Sequence, residues 1–130
     1  MINATLIDQC IKRFEQEPKI RAVWILGSAV TDRLREDSDV DLAIYYQPGS
    51  ALDFIEQGLL IMDLERILAR KVDLGQLSSL NLIYAIQAIK TGKLIFAHNP
   101  LEALEFTSRI QTLYLELKQD RKIVEDAYCA

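Results

Sequence analysis

The sequence predicts an α/β (α+β) domain in which helices pack against a mixed sheet of about four strands. Helical and strand-like patterns alternate along the whole chain, as in folds that cover a sheet with helices. A length of 130 residues fits one domain, and 50% apolar residues are enough to form a core. No repeat, linker or low-complexity tract divides the sequence, so we expect a single domain over residues 1–130.

The first half of the chain predicts a helix, a strand, a short helix and a second strand. Apolar residues recur at helical spacing over residues 4–16, and Pro18 follows that helix. Residues 20–26 are rich in β-branched and aromatic residues and precede a Gly-Ser turn, which indicates a buried strand. A short helix is expected over residues 30–34. Residues 39–46 then alternate as a second strand until a Gln-Pro-Gly-Ser turn.

The next three elements continue the alternation of helix and strand. Residues 51–70 carry a helical stripe of Leu and Ile, in which Gly58 is a weak point. Residues 71–77 form the third predicted strand. Residues 81–91 predict a helix ending at Gly92, because glycine tolerates the left-handed geometry common at helix ends.

The last two predicted elements are a strand over residues 93–97 and a helix over residues 100–128. Pro100 is suited to the first turn of that helix, which would extend roughly 43 Å at 1.5 Å per residue. The helix is therefore expected to be the longest element of the protein.

Composition and charge exclude several classes of protein. Fifteen basic and nineteen acidic residues give a net charge of −4, which argues against direct binding to a nucleic-acid backbone. The apolar runs are far shorter than the roughly 20 residues of a membrane span. No secretory signal follows Met1, and Cys10 and Cys129 lack metal-ligand spacing, so both are predicted to be free thiols. We therefore expect a cytoplasmic protein.

One segment combines a glycine-serine turn with a pair of acidic residues. Gly27 lets the backbone approach a ligand, and Ser28 with the first amides of the next helix can donate hydrogen bonds to phosphate oxygens. Asp39 and Asp41 are two residues apart on a strand, so their side chains point the same way, with Cα atoms about 6.6 Å apart. Hard carboxylate oxygens so placed suit Mg²⁺.

Paired acids are also found in two other settings, a solvated strand face and a calcium-binding loop. An isolated Asp-x-Asp usually lies on a solvated strand face, but here the opposite face of the strand is apolar. An EF-hand is excluded because Leu42 and Pro48 stand where that loop needs Gly and Glu.

A third acid, Asp73, lies between two apolar residues of the third strand. If that strand neighbours the second one, Asp73 completes an acidic triad that can bind metal ions and accept a proton. The alternative is a strand-end acid in solvent.

The pattern Gly27-Ser28, ten residues, Asp39-x-Asp41 and a later strand acid at Asp73 resembles the DNA polymerase β-like nucleotidyltransferase superfamily. It is most similar to the minimal nucleotidyltransferases, the MNT-domain or MntA-type antitoxins, over about residues 20–98. The resemblance implies a polymerase β-like nucleotidyltransferase fold. It also implies these site residues: Gly27, Ser28, Arg33 and Ser38 for the nucleotide triphosphate, and Asp39, Asp41 and Asp73 for catalysis and two Mg²⁺ ions.

For this family the resemblance implies transfer of AMP from ATP to a tyrosine hydroxyl of a HEPN-domain ribonuclease toxin, which silences the toxin. Asp32 stands where the family often has a second glycine, and a carboxylate there would repel phosphates. A non-catalytic antitoxin that neutralises the toxin by binding alone is therefore the first alternative. A small-molecule nucleotidyltransferase is the second, although the chain lacks a further domain to hold a large acceptor.

Overall fold

The computed structural model describes residues 2–27 and 39–129. The described residues form four α-helices and four strands in one mixed sheet, which confirms the predicted fold class. In chain order they are α1 (Ala4–Glu15), β1 (Ile20–Leu26), β2 (Val40–Tyr46), α2 (Phe54–Leu68), β3 (Val72–Gln76), α3 (Leu82–Thr91), β4 (Lys93–Ala97) and α4 (Pro100–Cys129). A 3₁₀ turn, Ser79–Asn81, leads into α3. The helix expected over residues 30–34 lies outside the described residues.

Side chains at the starts of two helices satisfy amide groups that have no partner within the helix. The Asn3 side chain accepts a hydrogen bond from the Thr5 amide at 2.7 Å. Asp53 and Glu56 form a reciprocal capping box, in which each side chain accepts from the other's amide, at 2.7 and 3.1 Å. These local signals fix where α1 and α2 begin.

The strand order in the sheet is β3-β2-β1-β4. β1 is antiparallel to both of its neighbours, whereas β2 and β3 are parallel. The parallel pair is joined through α2, as parallel strands need a crossover connection. The sequence did not predict which strand β3 would pair with. Because β3 pairs with β2, Asp73 lies next to Asp41 of β2.

Each face of the sheet carries its own apolar core. On one face Phe14 of α1 and Leu60 and Leu64 of α2 are fully buried against the strands. On the other face Trp24 packs with Phe106 of α4, their ring centroids 6.3 Å apart. The sheet is thus covered on both sides, and its strands are held in a fixed register.

The distal half of α4 extends beyond the second core. From Leu115 to Tyr128 the side chains are exposed, including Leu117, Ile123 and Val124. The apolar positions predicted for the long helix therefore contact the sheet only in its first half. No helix in residues 2–27 or 39–129 is long and apolar enough to cross a membrane.

The expected left-handed conformation at Gly92 was wrong. Gly92, at the end of α3, has φ −86° and ψ 172°, an extended conformation that other residues can also adopt. The left-handed conformation occurs at the end of α2, where Ala69 has φ 54°. Gly92 is needed for space, because a Cβ there would lie 2.5 Å from both the Ala88 carbonyl oxygen and the Leu26 Cδ2.

Gly58 provides a test of local helix propensity, because a Cβ added there meets nothing within 4 Å in the interior of α2. We expect Gly58→Ala to raise the free energy of unfolding by about 0.5–1 kcal/mol, measured by urea denaturation. Gly92→Ala is the contrasting variant and should lose about 1–3 kcal/mol through the steric conflict. Equal effects of the two substitutions would contradict this account.

Candidate active site

The register of the sheet places the predicted acids on neighbouring strands. Asp41 of β2 is paired with Asp73 of the parallel strand β3 and with Leu26 of the antiparallel strand β1. Paired residues on adjacent strands point to the same face of a sheet. The two carboxylates therefore share the face covered by α3 and α4, at the end of the sheet where β1 ends.

Gly27 follows β1 directly beside this acidic pair. Its φ of +66° is in the left-handed region that favours glycine, and a Cβ added there would lie 3.6 Å from Oδ2 of Asp41. The backbone at Gly27 thus passes close to the carboxylate of Asp41. Ser28, Arg33 and Ser38, predicted to bind the nucleotide, lie outside the described residues, as does Asp32.

Burial and repulsion among the acids both act on the ionisation of Asp41. Burial raises the pKa of Asp41 above its ordinary value, and the negative charges of Asp73 and then Asp39 raise it further. An unfavourable field of this kind at a carboxylate is typical of a site that receives a cation or a proton. Asp39, just before β2, is exposed and acts on Asp41 through its charge.

The described acids are near one another without converging on a preformed metal site. Within residues 2–27 and 39–129, no group of three or more His, Cys, Asp or Glu side chains meets the geometry of a metal centre. The donor set nevertheless suits Mg²⁺, because the paired groups are hard carboxylates whose mutual repulsion a divalent cation would relieve. The structure brings Asp41 and Asp73 together and leaves Asp39 at the rim.

A cleft of about 400 Å³ opens beside the acidic pair. It is lined by Leu26, Asp41, Leu42, Asp73, Leu74, Gly75, Gln76, Asn81 and Tyr84. None of these lining residues is Lys or Arg, so the described part of the cleft is negatively charged. Such a cleft accepts a phosphate-bearing ligand only together with cations or with basic groups from elsewhere.

Three polar residues of the cleft were missed by the sequence analysis: Gln76, Asn81 and Tyr84. Gln76 ends β3, and Asn81 and Tyr84 lie at the start of α3. No motif distinguishes them, because they reach the site only when α3 packs across the sheet. Their one signal was position, in the segment that follows the strand carrying Asp73.

Comparisons with known proteins identify the family and the fold of this chain. Residues 8–101 match the family described as Polymerase beta, Nucleotidyltransferase, a match that spans more than half of the chain. The protein therefore belongs to the polymerase beta nucleotidyltransferase family, and the resemblance stated from the sequence is confirmed at that level. No significant match was found among curated proteins.

Solved structures share this fold over almost their whole length. A chain in the crystal structure of a toxin-antitoxin with AMP-PNP has a TM-score of 0.72 and 23% identity, covering 98% of this chain and 99% of that one. A chain of the toxin-antitoxin MntA-HepT gives a TM-score of 0.70 and 22% identity, covering 98% and 100%. The complex of tri-AMPylated Shewanella oneidensis HEPN toxin with MNT antitoxin gives 0.69 and 23%, covering 97% and 98%.

Charge repulsion in the cleft predicts that Asp41→Asn stabilises the protein in metal-free buffer near neutral pH. The gain should stay below about 1 kcal/mol, because Asp41 is accessible and solvent screens its charge. When folding raises the pKa of a carboxyl, the folded protein becomes less stable as the pH rises through that pKa and the group ionises. The difference between wild type and Asp41→Asn should therefore grow from acid to neutral pH and vanish once Asp41 is protonated.

Thermal unfolding with chelator at several pH values measures this difference. Asp8→Asn, a change at an exposed acid on α1, serves as the control and should leave the pH profile unchanged. A fall in stability of Asp41→Asn at neutral pH would show that the acidic pair is not under repulsive strain.

Proposed function

We propose that the protein is an antitoxin-type adenylyltransferase that transfers AMP from ATP to a tyrosine hydroxyl of a HEPN-domain ribonuclease toxin and thereby neutralises it. The observation that carries the proposal is the pairing of Asp41 with Asp73 beside Gly27, in a chain of the nucleotidyltransferase family. Its close agreement in length and fold with chains of toxin-antitoxin complexes supports the choice of acceptor. One of those complexes contains a tri-AMPylated HEPN toxin.

ATP is the proposed nucleotide, and the turn at Gly27 is its proposed phosphate seat. The left-handed backbone at Gly27 leaves room for close approach, and Ser28, Arg33 and Ser38 would supply hydrogen bonds and positive charge to the phosphates. The crystal structure of a similar toxin-antitoxin with AMP-PNP is consistent with this nucleotide.

Asp39, Asp41 and Asp73 would hold two Mg²⁺ ions. When bound, the ions neutralise phosphate charge and the repulsion within the acidic pair. Because Asp41 and Asp73 are fixed by opposite positions on two hydrogen-bonded strands, their carboxylates need little reorganisation to take up the ligand.

In the proposed reaction the acceptor hydroxyl oxygen forms a bond to the α-phosphorus while the bond from that phosphorus to the departing pyrophosphate breaks. Asp73 accepts the proton released by the hydroxyl, and Asp39 and Asp41 would hold the cations that offset the negative charge of the reacting phosphate. The products are the adenylylated acceptor and pyrophosphate, so atoms and charges balance without another reactant.

A second function, neutralisation by binding alone, is favoured by one structural observation. The distal half of α4 exposes Leu117, Ile123, Val124 and Tyr128 with no partner among the described residues that buries them. Exposed apolar side chains of this kind, with Leu117, Val124 and Tyr128 on one face of the helix, suit a protein interface. Binding and transfer are compatible, and the following experiment separates them.

Purified protein incubated with ATP, Mg²⁺ and a candidate HEPN-domain partner should increase the partner's intact mass by one or more adenylyl groups. Mass spectrometry of digested partner would then locate the modified residue. Tight association with unchanged partner mass would contradict transfer and leave binding as the function.

Asp73→Asn should reduce the rate of transfer by about 10²–10⁴-fold, because amide nitrogen and oxygen cannot accept the acceptor's proton at neutral pH. The fold should persist, since Asp73 is exposed. Release of pyrophosphate in the presence of acceptor measures the rate, and Asp8→Asn should retain wild-type activity. Full activity of a folded Asp73→Asn variant would exclude Asp73 as the base.

A further inference from the structure

The side chain of Tyr84 rests directly on the backbone of Gly75. A Cβ added to Gly75 would lie 2.7 Å from Cζ and 3.2 Å from Cε1 of Tyr84, and closer still to the hydroxyl oxygen. Real side chains do not tolerate such contacts, so the ring can occupy this position only because residue 75 is glycine. Gly75 is two residues beyond Asp73 on β3 and on the same face, so the contact places the phenol in the wall of the acidic cleft.

The hydroxyl of Tyr84 is available to a ligand. Tyr84 lines the cleft and is half-buried, and the hydroxyl makes no hydrogen bond to any residue in the described parts of the chain. Burial, and then the negative charge of Asp41, raises the pKa of the Tyr84 hydroxyl, so the group remains a neutral donor at physiological pH. The hydroxyl of a cleft-lining tyrosine that has no hydrogen-bond partner in the protein can donate a hydrogen bond to a bound ligand.

The start of α3 provides a second feature that favours an anion at this end of the cleft. Asn81, the N-cap of α3, also lines the cleft, and its side chain makes no capping hydrogen bond. The partial positive charge of the first helix amides is therefore not satisfied by the Asn81 side chain and favours an anion nearby. Tyr84 and Asn81 line the same cleft as Asp41 and Asp73, so a ligand bound there can present acceptor oxygens to the donors at the start of α3.

We propose that Tyr84 is a nucleotide-contacting residue, whose hydroxyl donates a hydrogen bond to an oxygen on the α-phosphorus of the bound nucleotide. Gly75 is the positioning residue that makes this contact possible. The inference rests on the proposed function, which places the reacting phosphate at Asp41 and Asp73. It adds a contact on the α3 side of the cleft, opposite the phosphate seat at Gly27.

Binding of AMP-PNP with Mg²⁺, measured by isothermal titration calorimetry, tests the contact without any acceptor protein. Tyr84→Phe removes the hydroxyl and keeps the ring, and should weaken binding roughly 10- to 100-fold, as expected for a hydrogen bond to a charged acceptor. Tyr114→Phe, a half-buried tyrosine on α4 away from the cleft, is the matched control and should bind as wild type does.

Gly75→Ala should weaken binding to a similar degree by displacing the Tyr84 ring. The double variant with Tyr84→Phe should bind no more weakly than the weaker single variant, because both changes remove the same contact. A purely structural role of Gly75 would instead give additive losses.

Asp41→Asn separates failure of this inference from failure of the proposed function. If wild type binds AMP-PNP, Asp41→Asn loses binding and Tyr84→Phe remains within twofold of wild type, the proposed contact is overturned while the nucleotide site stands. If wild type itself does not bind AMP-PNP with Mg²⁺, both the nucleotide site and the Tyr84 contact are overturned.

Discussion

The parallel pairing of β2 with β3 determines where the chemically important side chains of this protein lie. In that register Asp41 and Asp73 are direct neighbours on one face, although 31 positions separate them in the sequence. The antiparallel pairing of β1 with β2 then brings Leu26, and after it Gly27, to the same end of the sheet. A slip of one residue would send one carboxylate into the apolar core on the other face, so the buried faces of the sheet also fix the site.

The two apolar cores stabilise a sheet that carries a repulsive group of acids at one end. Both faces of the sheet are covered, yet the acids stand close enough to raise the pKa of Asp41. Apolar packing supplies the favourable free energy that holds this repulsive arrangement in place. Such local strain is a common property of sites whose ligand carries the compensating charge.

The helices on the cleft side have different roles along their lengths. α3 contributes polar residues to the cleft at its start, whereas Ala85 and Ala88 bury against the sheet one turn later. α4 packs through Phe106 and Ile110 and then continues into solvent, so its distal half adds surface without adding core. The small residue at Gly75 connects helix and sheet, since it permits the close approach of Tyr84.

Local sequence patterns determined the identity of nearly every element. β1 and β4 have the predicted limits, and most helix ends differ from prediction by only a few residues, because apolar periodicity and capping residues act locally. The same local reading found Gly27, Asp39, Asp41 and Asp73 as candidates. It misjudged Gly92, where packing against Leu26 and Ala88 matters and backbone handedness does not.

Only the tertiary structure decided that β3 lies beside β2, that Tyr84 rests on Gly75, and that half of α4 is exposed. These contacts join residues far apart in sequence, whose approach depends on strand order and helix packing. Periodicity along a chain indicates the type of an element but not the element it packs against, because the packing arrangement depends on the free energy of the whole core.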